Sequence, residues 1–183
     1  MSEKSKRIKP NDIAYIGLSA ALITVCAWIT IPVGAVPITL QTMGICLVAS
    51  LFGAKRGVLS TLTYLLLGAV GVPVFSSFKG GIGVLAGATG GYIIGFIFTA
   101  LIVGVISDKL GGKVYFLIPA MILGVAVCYA FGTAWFMLVY TKEKEIALSK
   151  TLALCVTPFL IPDAVKIIIA SLLTAKLKKH IKE

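Results

Sequence analysis

From Ile13 to Ala54 the chain carries no charged residue. A bilayer core of roughly 30 Å is crossed by about 20 apolar helical residues, so this run is too long for one crossing. It breaks at "IPVGAVP", where Pro32 and Pro37 remove helical donors and Gly34 loosens the backbone. The break predicts a first helix over about 13–31 and a second over about 38–54, with Lys55 and Arg56 ending the hairpin. The same reasoning places further spans at about 57–72, 89–107, 114–140 and 151–175. The expected fold is therefore an all-α integral membrane protein of six transmembrane helices, forming a single domain over residues 1–183.

Composition agrees: 58% of residues are hydrophobic and only 13% charged, which excludes an ordinary water-soluble globule. A net charge of +10 suggests nucleic acid in a soluble protein, but here the basic residues cluster between apolar runs, and no nucleic-acid partner is expected. Lys4, Lys6, Arg7, Lys9, Lys55, Arg56, Lys109, Lys113, Lys176, Lys178, Lys179 and Lys182 fall on one side of the membrane. Lys79, Lys142, Lys144 and Lys150 fall on the other. The positive-inside rule then puts both termini in the cytoplasm. The basic head leads into a full-length apolar span rather than a short signal core, so the first helix is expected to stay attached.

That topology leaves Lys166 without an aqueous address. Asp163 and Lys166 interrupt the otherwise uncharged run from Thr151 to Ala175 near its middle. On a helix they are i, i+3 neighbours on one face. Ionisable residues inside a bilayer are costly unless paired or hydrated, so both should face the bundle interior or a cavity. A neutral pair that ties helices together is one reading; a polar clamp for a solute is the other, and Pro158 and Pro162, which break or bend the helix just before the pair, favour the clamp.

The segment "PVFSSFKGGIGVLAGATGG", residues 73 to 91, is too rich in glycine for continuous helix and too apolar for a free loop. Such a segment is tolerated at membrane depth where protein buries it or where it lines a cavity. Within it "GIGVLA" matches the dinucleotide fingerprint GxGxxA only formally, since no βαβ unit surrounds it. Lys79 is the segment's sole charge and a candidate for a ligand carboxylate. "VPITLQT" sets Thr39 and Gln41 at the start of the second helix, and Phe75, Phe78, Tyr92, Tyr129 and Trp135 are candidates to wall an apolar pocket. On the first helix "AYIGLSAAL" spaces Gly17 and Ala21 four apart, a small-residue strip suited to packing within the bundle or to docking a separate membrane subunit.

The four cysteines, Cys26, Cys46, Cys128 and Cys155, stand far apart in apolar runs and read as free, packed thiols. No GxxxxGK[ST], HExxH or GxSxG occurs, and the lone histidine, His180, lies in the basic tail. No catalytic residue, metal site or cofactor is expected, and no inverted repeat suggests a self-sufficient alternating-access carrier.

Four motifs in order, "VPITLQT" at 36–42, "GVPVFSSFKGG" at 71–81, "GATGGYIIGF" at 87–96 and "PFLIPDAVK" at 158–166, resemble BioY, the biotin-binding S component of energy-coupling factor transporters. The resemblance covers essentially the whole chain. The chain departs from the family pattern in two places: Ala88 stands where proline is usual, and Ile161 and Pro162 stand where proline and glycine usually precede the aspartate. The resemblance implies a substrate-binding subunit, multi-pass in a bacterial cell membrane, that captures biotin from outside. It would work with a transmembrane coupling subunit and two ABC-type ATPases, which agrees with the missing phosphate-binding loop. Gly17 and Ala21 become candidates for the coupling-subunit interface. Asp163 would accept from the ureido N–H groups and Lys166 donate to the ureido oxygen, with Gln41, Thr89 and Tyr92 as secondary contacts. The valerate carboxylate would approach Lys79 or the glycine-loop amides, although the inverted assignment puts it on Lys166. The alternative function is a stand-alone secondary carrier for a small vitamin-like solute that uses Asp163 for proton coupling.

Overall fold

The structure is a computed structural model that describes residues 9–32, 36–140 and 147–181, with the backbone alone for Tyr140, His180 and Ile181. The expectations for Lys4, Lys6, Arg7, Gly34, Lys142, Lys144 and Lys182, and for the His180 side chain, lie outside the described residues. The chain order is α1 (Pro10–Trp28), β1 (Thr30–Ile31), β2 (Ile38–Thr39), α2 (Gln41–Ala69), a 3-10 turn (Ser76–Phe78), α3 (Ile82–Ala86), α4 (Gly90–Leu110), α5 (Val114–Tyr140), α6 (Leu148–Cys155), a second 3-10 turn (Thr157–Phe159) and α7 (Leu160–Ile181). Five segments among the described residues are long and apolar enough to cross a membrane: α1, α2, α4, α5 and the composite of α6 and α7.

The segment α2 is itself two antiparallel arms. At Gly53 the backbone takes φ 78° and ψ −179°, which breaks the helix and reverses it. The Gln41 side chain donates from Nε2 to the Tyr64 hydroxyl, and a Cβ on Gly57 would lie 2.8 Å from the Ala49 Cα. Both pairs are centred on Gly53, which only a fold-back allows, since a straight helix rises about 1.5 Å per residue. The turn therefore sits at Gly53, and Lys55 and Arg56 lie inside the second arm, 54–69, rather than closing a loop as the charge pattern suggested. With α2 counted as two arms, the described chain runs six times between the two ends of the bundle, although only five segments qualify as membrane-crossing by length and composition.

A carboxylate from a neighbouring helix completes this turn. Asp108 Oδ2, near the end of α4, accepts the Ala54 N–H at 2.9 Å and so caps the exposed start of the second arm. A Cβ at Gly53 would stand 2.1 Å from Asp108 Oδ1, in a region of φ/ψ space essentially reserved for glycine. Gly53→Ala is therefore expected to destabilise the protein by about 2–4 kcal/mol. Gly83, where a Cβ meets nothing within 4 Å, is the matched control. Thermal unfolding in detergent checks this: equal melting temperatures for the two alanine variants would contradict the assignment of the turn.

Other polar ties gather at the Gly53 end. Ser107 Oγ donates to the Ser50 carbonyl at 2.6 Å, Ser50 Oγ meets Thr174 Oγ1 at 2.6 Å, and Lys178 Nζ donates to Ser107 Oγ at 2.8 Å. Arg56 pairs with Asp12 at 2.5 Å and lies over the Tyr15 ring. Lys9, Lys55, Arg56, Lys109, Lys113, Lys176, Lys178 and Lys179 lie in or directly before helices that start, end or turn here, so these basic residues collect on one side as the sequence predicts. The opposite end carries the β1–β2 ladder, Thr30 facing Thr39, and the segment 70–89.

Between the ends, α4 packs against both α2 and α5, α1 lies on α2, and α7 lies against α2 and α5. Lipid offers no hydrophobic incentive for helix association, so close packing and polar bonds carry it. Thr99 in α4 donates to the Gly124 carbonyl of α5 at 2.9 Å, and all four cysteines are buried free thiols, as expected.

Candidate functional site

The last span, expected over about 151–175 with a break or bend at Pro158 and Pro162, is interrupted. Val156 leaves helical geometry at φ −123°, and the 3-10 turn Thr157–Phe159, with Pro158 in it, separates α6 from α7. Pro162 then falls in the first turn of α7, where a proline's missing N–H costs nothing because those donors have no intrahelical partner. The consequence is a new helix N-terminus inside the bundle, with Asp163 in its first turn, where the helix dipole favours a carboxylate.

Asp163 and Lys166 are 4% and 5% exposed, so both charges are withdrawn from lipid and from bulk water. Lys166 Nζ donates to Asp163 Oδ1 at 2.7 Å, while the Tyr129 hydroxyl of α5 donates to Asp163 Oδ2. Both charged residues line one interior cavity. Its apolar walls are Val36, Ile93, Phe96, Val125 and Phe159, and its other polar groups include Thr39, Gln41, Thr42, Thr89 and Tyr92. The candidates Asp163, Lys166, Gln41, Thr89 and Tyr92, far apart in sequence, thus meet around one space.

Several of these side chains are already engaged within the protein. Gln41 accepts from Thr39 Oγ1 at 3.3 Å and donates to Tyr64, and its own N–H is held by Thr39 Oγ1 at 3.2 Å. Tyr92 shares a 3.1 Å hydrogen bond with Thr133, and its carbonyl accepts from the Cys128 thiol at 3.3 Å. The cavity is therefore preformed, its walls held before any solute enters.

Lys79 is placed differently. It is exposed and lines an outer vestibule with Pro32, Ser77, Gly83, Gly87 and Ala88. Pro37, Ser76 and Thr89 line both spaces, so the vestibule adjoins the cavity. The glycine-rich segment that lines the vestibule is pinned by the chain's two tryptophans. Trp28 of α1 donates its indole N–H to the Pro73 carbonyl at 2.9 Å and stacks on Phe78 at 5.0 Å. Trp135 of α5 donates to the Gly87 carbonyl at 3.0 Å. Phe75, a candidate wall residue, is instead fully buried against Tyr64, edge to face at 5.5 Å.

The small-residue strip faces outward. Gly17 and Ala21 are exposed on α1, and a Cβ at Gly17 would meet nothing within 4 Å, so this face takes no part in packing the bundle.

Sequence reasoning missed Tyr129 as the partner of Asp163, and Cys128 and Cys155 as cavity-lining thiols. Val125, Cys128 and Tyr129 follow the i, i+3, i+4 rule on α5, as Thr89, Tyr92, Ile93 and Phe96 do across the start of α4. Both helices are apolar all round, however, so no polar stripe marks which face looks inward.

A helical bundle of membrane-crossing length, with an interior cavity lined in part by a buried acid and base, defines a solute-binding membrane protein. The BioY family model matches residues 1–183, and the chain belongs to that family. The Biotin transporter BioY of Thermotoga maritima is 40% identical over 169 residues, 92% of this chain and 96% of the relative. The Probable biotin transporter BioY of Pyrococcus horikoshii is 38% identical over 172 residues, 93% of this chain and 98% of the relative. A crystal structure described as the S-component for biotin from an ECF-type ABC transporter is similar at a TM-score of 0.83 and 28% identity, covering 98% of this chain and 95% of that one.

Proposed function

We propose that this chain is the biotin-binding subunit of an ATP-driven importer, a single domain over residues 1–183 that captures extracellular biotin and delivers it with a separate energy-coupling module. The observation that carries this reading is the Asp163–Lys166 pair, an acceptor beside a donor in the wall of an otherwise largely apolar cavity. In a five-membered cyclic urea each N–H lies syn to the carbonyl, so one edge offers a donor and an acceptor side by side. A carboxylate next to an ammonium matches that edge, and a purely structural ion pair has no need of a cavity. The thiolane ring then lies against Ile93, Phe96, Val125 and Phe159, and the valerate tail runs toward the vestibule and Lys79. Gln41, Thr89 and Tyr92 supply the secondary contacts.

The family membership and the names of the relatives support biotin as the substrate. The concentration of basic residues at the Gly53 end supports a cytoplasmic location for that end, which directs the vestibule outward in a bacterial cell membrane. The coupling module comprises a transmembrane subunit and two ABC-type ATPases, and the exposed strip at Gly17 and Ala21 is its docking face. Mass spectrometry of denatured protein, purified from cells grown with biotin, tests the reading. Release of near-stoichiometric biotin is expected; another vitamin in its place would refute the assignment.

A further inference from the structure

We propose that Tyr129 is a positioning residue for substrate recognition that acts through Asp163, an inference that rests on the biotin reading above. Lys166 comes from the same helix as Asp163, three residues on, and can follow the carboxylate through its rotamers. Alone it balances the charge without fixing its direction. Tyr129 comes from a different helix, and its rigid ring delivers the hydroxyl to Asp163 Oδ2 from the α5 side. Two donors from two directions, one on each oxygen, set the plane of the carboxylate. Each oxygen keeps a second acceptor site, which leaves the group ready to take an N–H from a ligand.

The position of Tyr129 adds a second consequence. A groove runs between α5 and α7 on the far side of the cavity wall, lined by Ile118, Ile122, Ala126, Leu160, Ala164 and Ile168. Val125, Tyr129 and Asp163 line both the groove and the cavity, so at this level the partition is one side chain thick. Ile122, Leu160 and Ile168 are about half exposed on the membrane-crossing surface, so the groove is open to acyl chains. Tyr129 and Asp163 thus both border a groove open to acyl chains, where an unpaired charge is costly. Its hydroxyl bond is a polar tie across the gap between α5 and α7.

The test is biotin titration of the purified full chain and of three variants: Tyr129→Phe, Asp163→Ala and the two combined. Tyr129→Phe keeps the ring and removes the donor, and is expected to weaken biotin about tenfold, with any fall in the ligand-free melting temperature measured alongside. If Tyr129 acts through Asp163, adding Tyr129→Phe to Asp163→Ala has no further effect, whereas an independent structural role makes the losses add. Should Tyr129→Phe melt early, the comparison of Asp163→Ala with the double variant still decides between these outcomes. Unchanged affinity in Tyr129→Phe, or additive losses, overturns the positioning role alone. Failure of the parent chain to bind biotin overturns the substrate reading and this inference with it.

Discussion

Asp163→Asn is expected to weaken biotin binding by about ten- to a hundredfold, because a hydrogen bond to a charged group contributes on the order of 1.5–3 kcal/mol more than its absence. Asparagine keeps an acceptor oxygen but loses the charge that strengthens acceptance from the ureido N–H. Lys166→Met is expected to have an effect at least as large, since it removes the donor to the ureido oxygen and leaves a buried carboxylate unbalanced. Breaking a buried pair from one side costs about 3–5 kcal/mol of stability, so Lys166→Met needs a melting curve beside its binding curve. Asp163→Asn/Lys166→Gln, which removes both charges, separates the two effects: it restores stability and remains deficient in binding. A pair that only held helices together would give the opposite pattern, with lower melting temperatures and an unchanged dissociation constant.

The second large effect concerns α1. Gly17→Leu or Ala21→Leu is expected to reduce biotin uptake by about tenfold or more in cells that express the complete transporter, while the isolated subunit binds biotin as before. The geometry makes the separation clean. Both positions are exposed, and the site of a new Cβ at Gly17 is empty, so the added side chain strains nothing within the bundle. It does prevent the close backbone approach that a small-residue strip allows a partner helix. Loss of binding together with uptake would return the strip to internal packing. Uptake into vesicles that contain this chain and a pH gradient but no ATPase would instead favour a proton-coupled carrier working through Asp163.

What could be read from the sequence follows a physical division. Asp163 and Lys166 were legible because a charge in mid-bilayer has few uses, and the structure buries both beside the cavity. The break between the first two helices was legible because Pro32 and Pro37 leave little choice there. The next turn was not: Lys55 and Arg56 carry the visible signal, yet the reversal occurs at Gly53, one glycine among many, and needs its positive φ and the distant Asp108 cap. The division of the last span followed from Pro158, but Pro162, which looked like a second break, is the ordinary occupant of a first helical turn. Tyr129 was beyond reach because α5 is apolar on every side, so only the folded arrangement shows which of its aromatics meets the carboxylate. Lys79, a candidate for a ligand carboxylate, lines the vestibule rather than the cavity.

The central claim is that the buried acid and base read a cyclic urea. The most direct measurement is calorimetric titration of the purified chain with biotin and, in parallel, with lipoate, which shares a sulfur-containing five-membered ring and a pentanoate tail but has no ureido group. Saturable binding of biotin at one site per chain, with lipoate at least about a hundredfold weaker, is the predicted result, since losing both ureido hydrogen bonds forfeits roughly 3 kcal/mol or more. Comparable binding of the two ligands, or binding of neither, would contradict it.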